Sequence, residues 1–234
     1  MISEMFAHGF IQRAFIGGVL VSLCAALLGV SLVLKRYSMI GDGLSHVSFG
    51  ALSIAIAFGF APIKFSIPIV IIAAFFLLRL AENGKMKSDA AIAMLSASSL
   101  AIGVIVTSLT TGLSTDVCSY MFGSILAMSK DDVIFSVVLS VVVLIMFGFC
   151  YHRIFAVTFD ESFSKATGMK VGMYNTLISI FTAVTVVLGI KMMGAMLISS
   201  LIIFPALTSM RVFKSFLSVT ICSAILAVIN FTAG

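Results

Sequence analysis

Apolar residues fill this chain in long runs, and the polar positions fall between the runs more than within them. The runs cover roughly residues 14–34, 38–60, 65–81, 90–112, 133–151, 173–190, 193–210 and 215–232. A helix rises about 1.5 Å per residue, so a hydrocarbon layer of roughly 30 Å takes about 20 residues to cross. Runs of that length predict an all-α, polytopic membrane bundle of about eight transmembrane helices. The third run is short and carries Arg79 near its end, where the side chain can reach back to the headgroups. Residues 1–13 mix Phe6, Phe10 and Ile11 with polar positions, which predicts a short interfacial helix with Glu4 and His8 on a solvated face. Segment 113–132 is too polar at its edges for a full span. Its centre, Tyr120 to Leu126, predicts a short interfacial or re-entrant helix. Pro205 lies inside the seventh run, where it removes a backbone hydrogen bond and predicts a kink. Small residues recur along the runs, among them Gly17-Gly18, Ser96, Ser98, Ser99, Gly103 and Ser199-Ser200. They let helices approach closely in lipid and predict a tight bundle.

Composition agrees with this pattern. Of 234 residues, 61% are hydrophobic and 10% charged, where a soluble domain is nearer half and about a quarter. Basic residues then orient the chain. The odd-numbered connections hold ten of the fourteen Lys and Arg, including Lys35, Arg36, Lys85, Lys165 and Arg211. The N-terminal segment and the even connections hold the other four: Arg13, Lys64, Lys130 and Lys191. By the positive-inside rule the odd connections are cytoplasmic and both termini face outside. The net charge of +5 thus belongs to loops beside lipid and predicts no nucleic-acid partner. Cys24, Cys118, Cys150 and Cys222 have no CxxC spacing, so neither a disulfide framework nor a thiolate metal site is predicted. The first apolar run is long enough to span and lacks a clear small-residue cleavage site, so no cleaved leader is expected.

Two stretches carry candidate chemistry. In Gly41-Asp42-Gly43-Leu44-Ser45-His46 an acid and an imidazole stand four residues apart, on one helical face, inside apolar sequence. A charge deep in a bilayer costs about 2.5–3.5 kcal/mol on insertion scales. Such groups pair, bind a ligand or line a wet path; the plainer reading is a polar pair near a helix end reaching for the headgroups. Carboxylate oxygen with imidazole nitrogen suits zinc, manganese or ferrous iron, and two ligands leave the shell incomplete, as a transport path requires. The second stretch, 158–168, has helix-start signals at Thr158 or Asp160, Glu161 in the first turn, and Gly168 placed as a C-terminal cap. Phe159, Phe163 and Ala166 share a face, which suits a lipid surface and the groove of a soluble partner equally well. Gly84-Lys85 lacks P-loop spacing, and neither HExxH nor GxSxG occurs, so no catalytic residue, bound cofactor or ATP site is predicted.

These pieces, taken in order, resemble the permease subunits of bacterial ABC importers for zinc, manganese and related metals. The matching residues are Leu34-Lys35-Arg36, Gly41 to His46, Ser88-Asp89-Ala90-Ala91-Ile92, Tyr120 to Leu126, Phe159-Asp160-Glu161 with Ala166 and Gly168, and Gly194 through Pro205-Ala206. They span about residues 34–213. One departure is Phe49-Gly50, where the family often reads a proline and glycine after the histidine. The resemblance implies that residues 1–234 form a single transmembrane permease domain in the cytoplasmic (inner) membrane. That domain would work as a homodimer above two ATP-binding subunits, with an extracytoplasmic metal-binding protein delivering the cargo. It also implies that Asp160, Glu161, Ala166 and Gly168 belong to the cytoplasmic segment touching the ATPase, while the placement and ligand chemistry of Asp42 and His46 make them the residues expected to line the metal route. A proton-coupled secondary transporter relaying through Asp42 and His46, or a non-transporting scaffold, are the alternatives on the residues alone.

Overall fold

In hydrocarbon a backbone amide has no water to bond, so a spanning segment must close its hydrogen bonds internally, and this chain does so with helices. The computed structural model describes residues 9–37, 39–82, 88–110, 123 and 130–233. The helices among them are α1 (Gly9–Leu34), α2 (Ile40–Ala57), α3 (Pro62–Glu82), α4 (Ser88–Leu109), α5 (Lys130–Phe159), α6 (Glu161–Ala166), α7 (Val171–Met193), α8 (Ala195–Val212) and α9 (Phe216–Ala233). The eight longer ones answer to the eight apolar runs. Seven are long and apolar enough to cross a membrane, and α3 has a shorter apolar stretch, Pro62–Leu77. The predicted interfacial helix lies largely outside the described residues, where α1 begins at Gly9. The Tyr120–Leu126 element also falls outside them, apart from Gly123.

Helix ends shift by a few residues from the sequence reading, most at the end of α5. α5 continues to Phe159, eight residues past the predicted end, because His152 and Arg153 interrupt the apolar run without breaking the helix. Thr158 is therefore in the last turn of α5, and Asp160 alone starts the next helix. α8 remains helical from Ala195 to Val212 through Pro205.

The bundle is layered around α7. Of the apolar window of α7, 78% is buried inside the protein, against 17% for α4 and 28% for both α5 and α9. α1, α2, α3, α5 and α8 all pack on α7, and α2 in turn packs closely on α3 and α4. The outer helices keep large apolar side chains exposed, such as Ile105 and Leu109 on α4 and Ile145 and Phe149 on α5. Exposed leucine and phenylalanine in these numbers suit lipid, not water. Buried hydroxyls on α7 and α8 bond back to the carbonyl one turn earlier: Thr182 to Ile178 at 2.8 Å, and Ser209 to Pro205 at 2.6 Å. That satisfies each polar group within its own helix.

Candidate functional site

α1 ends in a turn that sets up the start of α2. The amide of Tyr37 donates to the Leu32 carbonyl at 2.8 Å and that of Arg36 to Val33 at 3.0 Å. This is the paired C-terminal cap in which the residue after the helix adopts a left-handed conformation. Here that residue is Arg36, at φ 61, where a glycine is the usual occupant. The Ile40 amide donates to the Tyr37 carbonyl at 3.0 Å, and α2 follows at once.

Asp42 stands in the first turn of α2, where a carboxylate is favoured by the helix dipole. Its Oδ2 lies 3.8 Å from Nε2 of His46, and the two side chains are 48% and 29% exposed. That separation is too long for a direct hydrogen bond. A divalent ion about 2.1 Å from each atom at a tetrahedral angle would hold them about 3.4 Å apart, so a small side-chain adjustment admits one. The start of α2 packs against α8. Cβ positions built on Gly41 (α2) and Gly29 (α1) both meet Ile202, which is near the middle of α8. Beside the pair, Oγ of Ser45 lies 3.1 Å from Oγ of Ser199, joining α2 to α8. Among the described residues no group of three or more His, Cys, Asp or Glu could hold a metal ion.

The second constellation is built on α6. The Asp160 carboxylate accepts the Phe163 amide at 2.9 Å and caps the helix start. At the far end the Gly168 amide donates to Lys165 at 3.1 Å and that of Met169 to Ser164 at 3.0 Å, with Gly168 at φ 80. Asp160 and Gly168 thus have local work as caps, and Ala166 is exposed. Glu161 turns inward. Its Oε1 accepts Nζ of Lys35 at 2.9 Å and Nδ2 of Asn175 at 2.9 Å. Lys35 also donates to Oδ1 of Asn175, closing a three-membered ring across the end of α1, α6 and α7. Partial burial pushes the Glu161 carboxyl up, but the hydrogen bonds from Asn175 and Lys35 and the charges of Lys35 and Lys165 outweigh it and hold it below the usual range.

The sequence reading named Glu161 but neither Lys35 nor Asn175 as its partners. Lys35 is 126 residues from Glu161 and 140 from Asn175 along the chain. An asparagine in the second turn of an apolar span was the available signal.

The comparisons agree with this architecture over nearly the whole chain. The high-affinity zinc uptake system membrane protein ZnuB of Buchnera aphidicola is 31% identical over 221 residues, 94% of this chain and 84% of the relative. The manganese import system permease protein ScaB of Streptococcus gordonii is 28% identical over 217 residues, 93% and 78% of the two. The solved structure of PsaBC from Streptococcus pneumoniae in complex with Fab superposes with a TM-score of 0.84 at 27% identity, covering 98% of this chain and 84% of that one. The family model described as ABC 3 transport family matches residues 7–234, and this multi-pass membrane protein belongs to that family.

Proposed function

We propose that this chain is the permease subunit of an ATP-driven importer for a divalent transition metal, zinc or manganese, in the cytoplasmic membrane. The observation that carries the reading is the Asp42–His46 pair at 3.8 Å on α2, next to Gly41 against Ile202 of α8, in a chain of the ABC 3 transport family. The names of ZnuB and ScaB support zinc and manganese as cargo. Family membership favours the importer over the secondary-transporter and scaffold alternatives.

In this reading the metal is substrate. The Asp42 carboxylate attracts the cation and His46 supplies a nitrogen ligand, while water or a second copy of the pair in a homodimer completes the shell. Weak, shared coordination lets the ion leave. ATP hydrolysis belongs to a separate subunit, which docks on α6 from the cytoplasm, and an extracytoplasmic binding protein supplies the metal from the other side. The outward residues Ser162, Phe163 and Ala166 form the docking face; Phe163 is 64% exposed.

The test is zinc and manganese flux into proteoliposomes holding the permease, its ATPase and its binding protein. Wild type takes up metal only with ATP. Asp42→Asn and His46→Ala each lower uptake at least tenfold at normal assembly, and the double variant loses little more than either single, since groups acting as one site are non-additive. Uptake driven by a proton gradient without ATP would overturn the importer reading. Undiminished flux in both single variants would remove the pair from the path.

A further inference from the structure

The ring of Lys35, Glu161 and Asn175 has a consequence for coupling that rests on the importer reading. Lys35 is only 7% exposed, although a lysine at a helix end beside lipid would ordinarily extend to the headgroups. It is held inward by two acceptors, the Glu161 carboxylate and the Asn175 amide oxygen. One carboxylate oxygen receives both Lys35 and Asn175, so a single side chain of α6 is tied to two different helices. The other ion pair of Glu161, with Lys165 at 3.9 Å, lies within α6 itself and anchors nothing.

The route onward from Lys35 is short and internally bonded. Lys35 is the last residue before the left-handed turn at Arg36, and that turn is fixed by the Tyr37–Leu32 and Arg36–Val33 hydrogen bonds. Tyr37 then accepts the first amide of α2, and the carbonyl of Met39 accepts the Gly43 amide at 3.0 Å. Asp42 lies inside that last bonded turn. A displacement of α6 therefore reaches Asp42 through Lys35 and one capped turn, while Asn175 carries it in parallel to α7.

We propose that Lys35 is a positioning residue that transmits movement of α6 to α2 and so to the Asp42–His46 face, with Glu161 acting inward as its anchor instead of meeting the ATPase. The electrostatic bond, not the bulk of the lysine, carries the effect.

The experiment measures metal uptake and ATP hydrolysis together in the reconstituted complex. Lys35→Met retains the length and removes the charge. Its ATPase subunit still copurifies and hydrolyses ATP within twofold of wild type, but metal moved per ATP falls at least fivefold. Lys35→Arg keeps most of the coupling. The charge swap Lys35→Glu with Glu161→Lys recovers at least half of the metal moved per ATP that either single change loses, while assembly and ATP hydrolysis stay near wild type throughout; a merely structural role would lower assembly and hydrolysis together with transport. Normal stoichiometry in Lys35→Met, or a swap no better than the single variants, overturns the proposal. If Lys35→Met does not assemble, Glu161→Gln, which removes the charge that holds Lys35 and nearly keeps the shape, decides the matter: uncoupling with the ATPase still bound supports the proposal and full coupling refutes it. A wild-type complex that moves no metal on ATP would sink the importer reading itself. A coupled wild type beside a fully coupled Lys35→Met sinks only the role of Lys35.

Discussion

Replacing Gly29 by alanine tests how far the stability of the bundle depends on backbone contact between α1 and α8. A Cβ at position 29 would overlap the Ile202 carbonyl oxygen and lie 2.9 Å from its carbonyl carbon and 3.3 Å from its Cα. Carbon pairs rest at about 3.5–4.0 Å, so the two backbones must separate by roughly 1 Å. No flexible side chain is available to give way. Overpacking of this kind costs about 1–3 kcal/mol, and Gly29→Ala belongs at the upper end. Gly50→Ala is milder: its Cβ would lie 2.8 Å from the Ser99 carbonyl oxygen and 3.5 Å from the carbonyl carbon. A cost of about 1 kcal/mol is expected there. Gly148, in α5, has nothing within 4 Å, so its alanine variant is neutral or more stable by up to about 1 kcal/mol. At about 2–4 °C per kcal/mol for a chain of this size, the Gly29→Ala midpoint falls by roughly 4–12 °C. Heating the purified protein, with Cys118, Cys150 and Cys222 replaced by serine, in a thiol-reactive fluorophore reads this out, because Cys24 on α1 is buried at 1% exposure until the bundle opens. A Gly29→Ala midpoint equal to wild type, or above that of Gly50→Ala, refutes the packing argument.

Further outcomes follow from the caps, the charges and the ring. Gly168→Val puts a β-branched residue at φ 80, costs about 1–2 kcal/mol at the end of α6, and raises amide exchange at Met169. A cysteine in place of Lys165 is labelled by an impermeant reagent only from the cytoplasm, and one in place of Lys64 only from outside; labelling at 165 in sealed cells overturns the orientation. Because the Glu161 pKa is depressed in the folded protein, the Lys35–Glu161 tie is fully present above the ordinary glutamate value and is lost as pH falls through the lower one. A fluorophore at Ser162 reports that release below the ordinary glutamate range, and Glu161→Gln abolishes the transition.

The sequence shows the spans because lipid imposes one dominant rule, a run of apolar residues long enough to cross. Asp160 and Gly168 were also legible, since a cap depends on residues within one turn. α5 overran its predicted end because helix continuation past Tyr151 depends on hydrogen bonding that a hydropathy reading does not see. The ring was hidden for another reason: Lys35 reads as one more positive-inside charge, and its burial exists only once α6 and α7 stand against α1. Arg36 was hidden too, because a left-handed cap is normally announced by glycine or asparagine.

The enclosure of α7 also bears on how the protein is made. Its mean hydropathy is 1.9, against 2.9 for α5, and its side chains include buried Asn175, Ser179, Thr182 and Thr185. As a lone helix it would turn these groups toward acyl chains. During synthesis, however, α1, α2, α3 and α5 emerge first, and all four pack against it in the finished protein. α7 thus enters a cradle that its own polypeptide has already laid down, and α8 closes over it afterwards. A fragment beginning at Val171 would leave the translocon without that cradle, and membrane quality control would remove it long before a chain carrying the earlier helices.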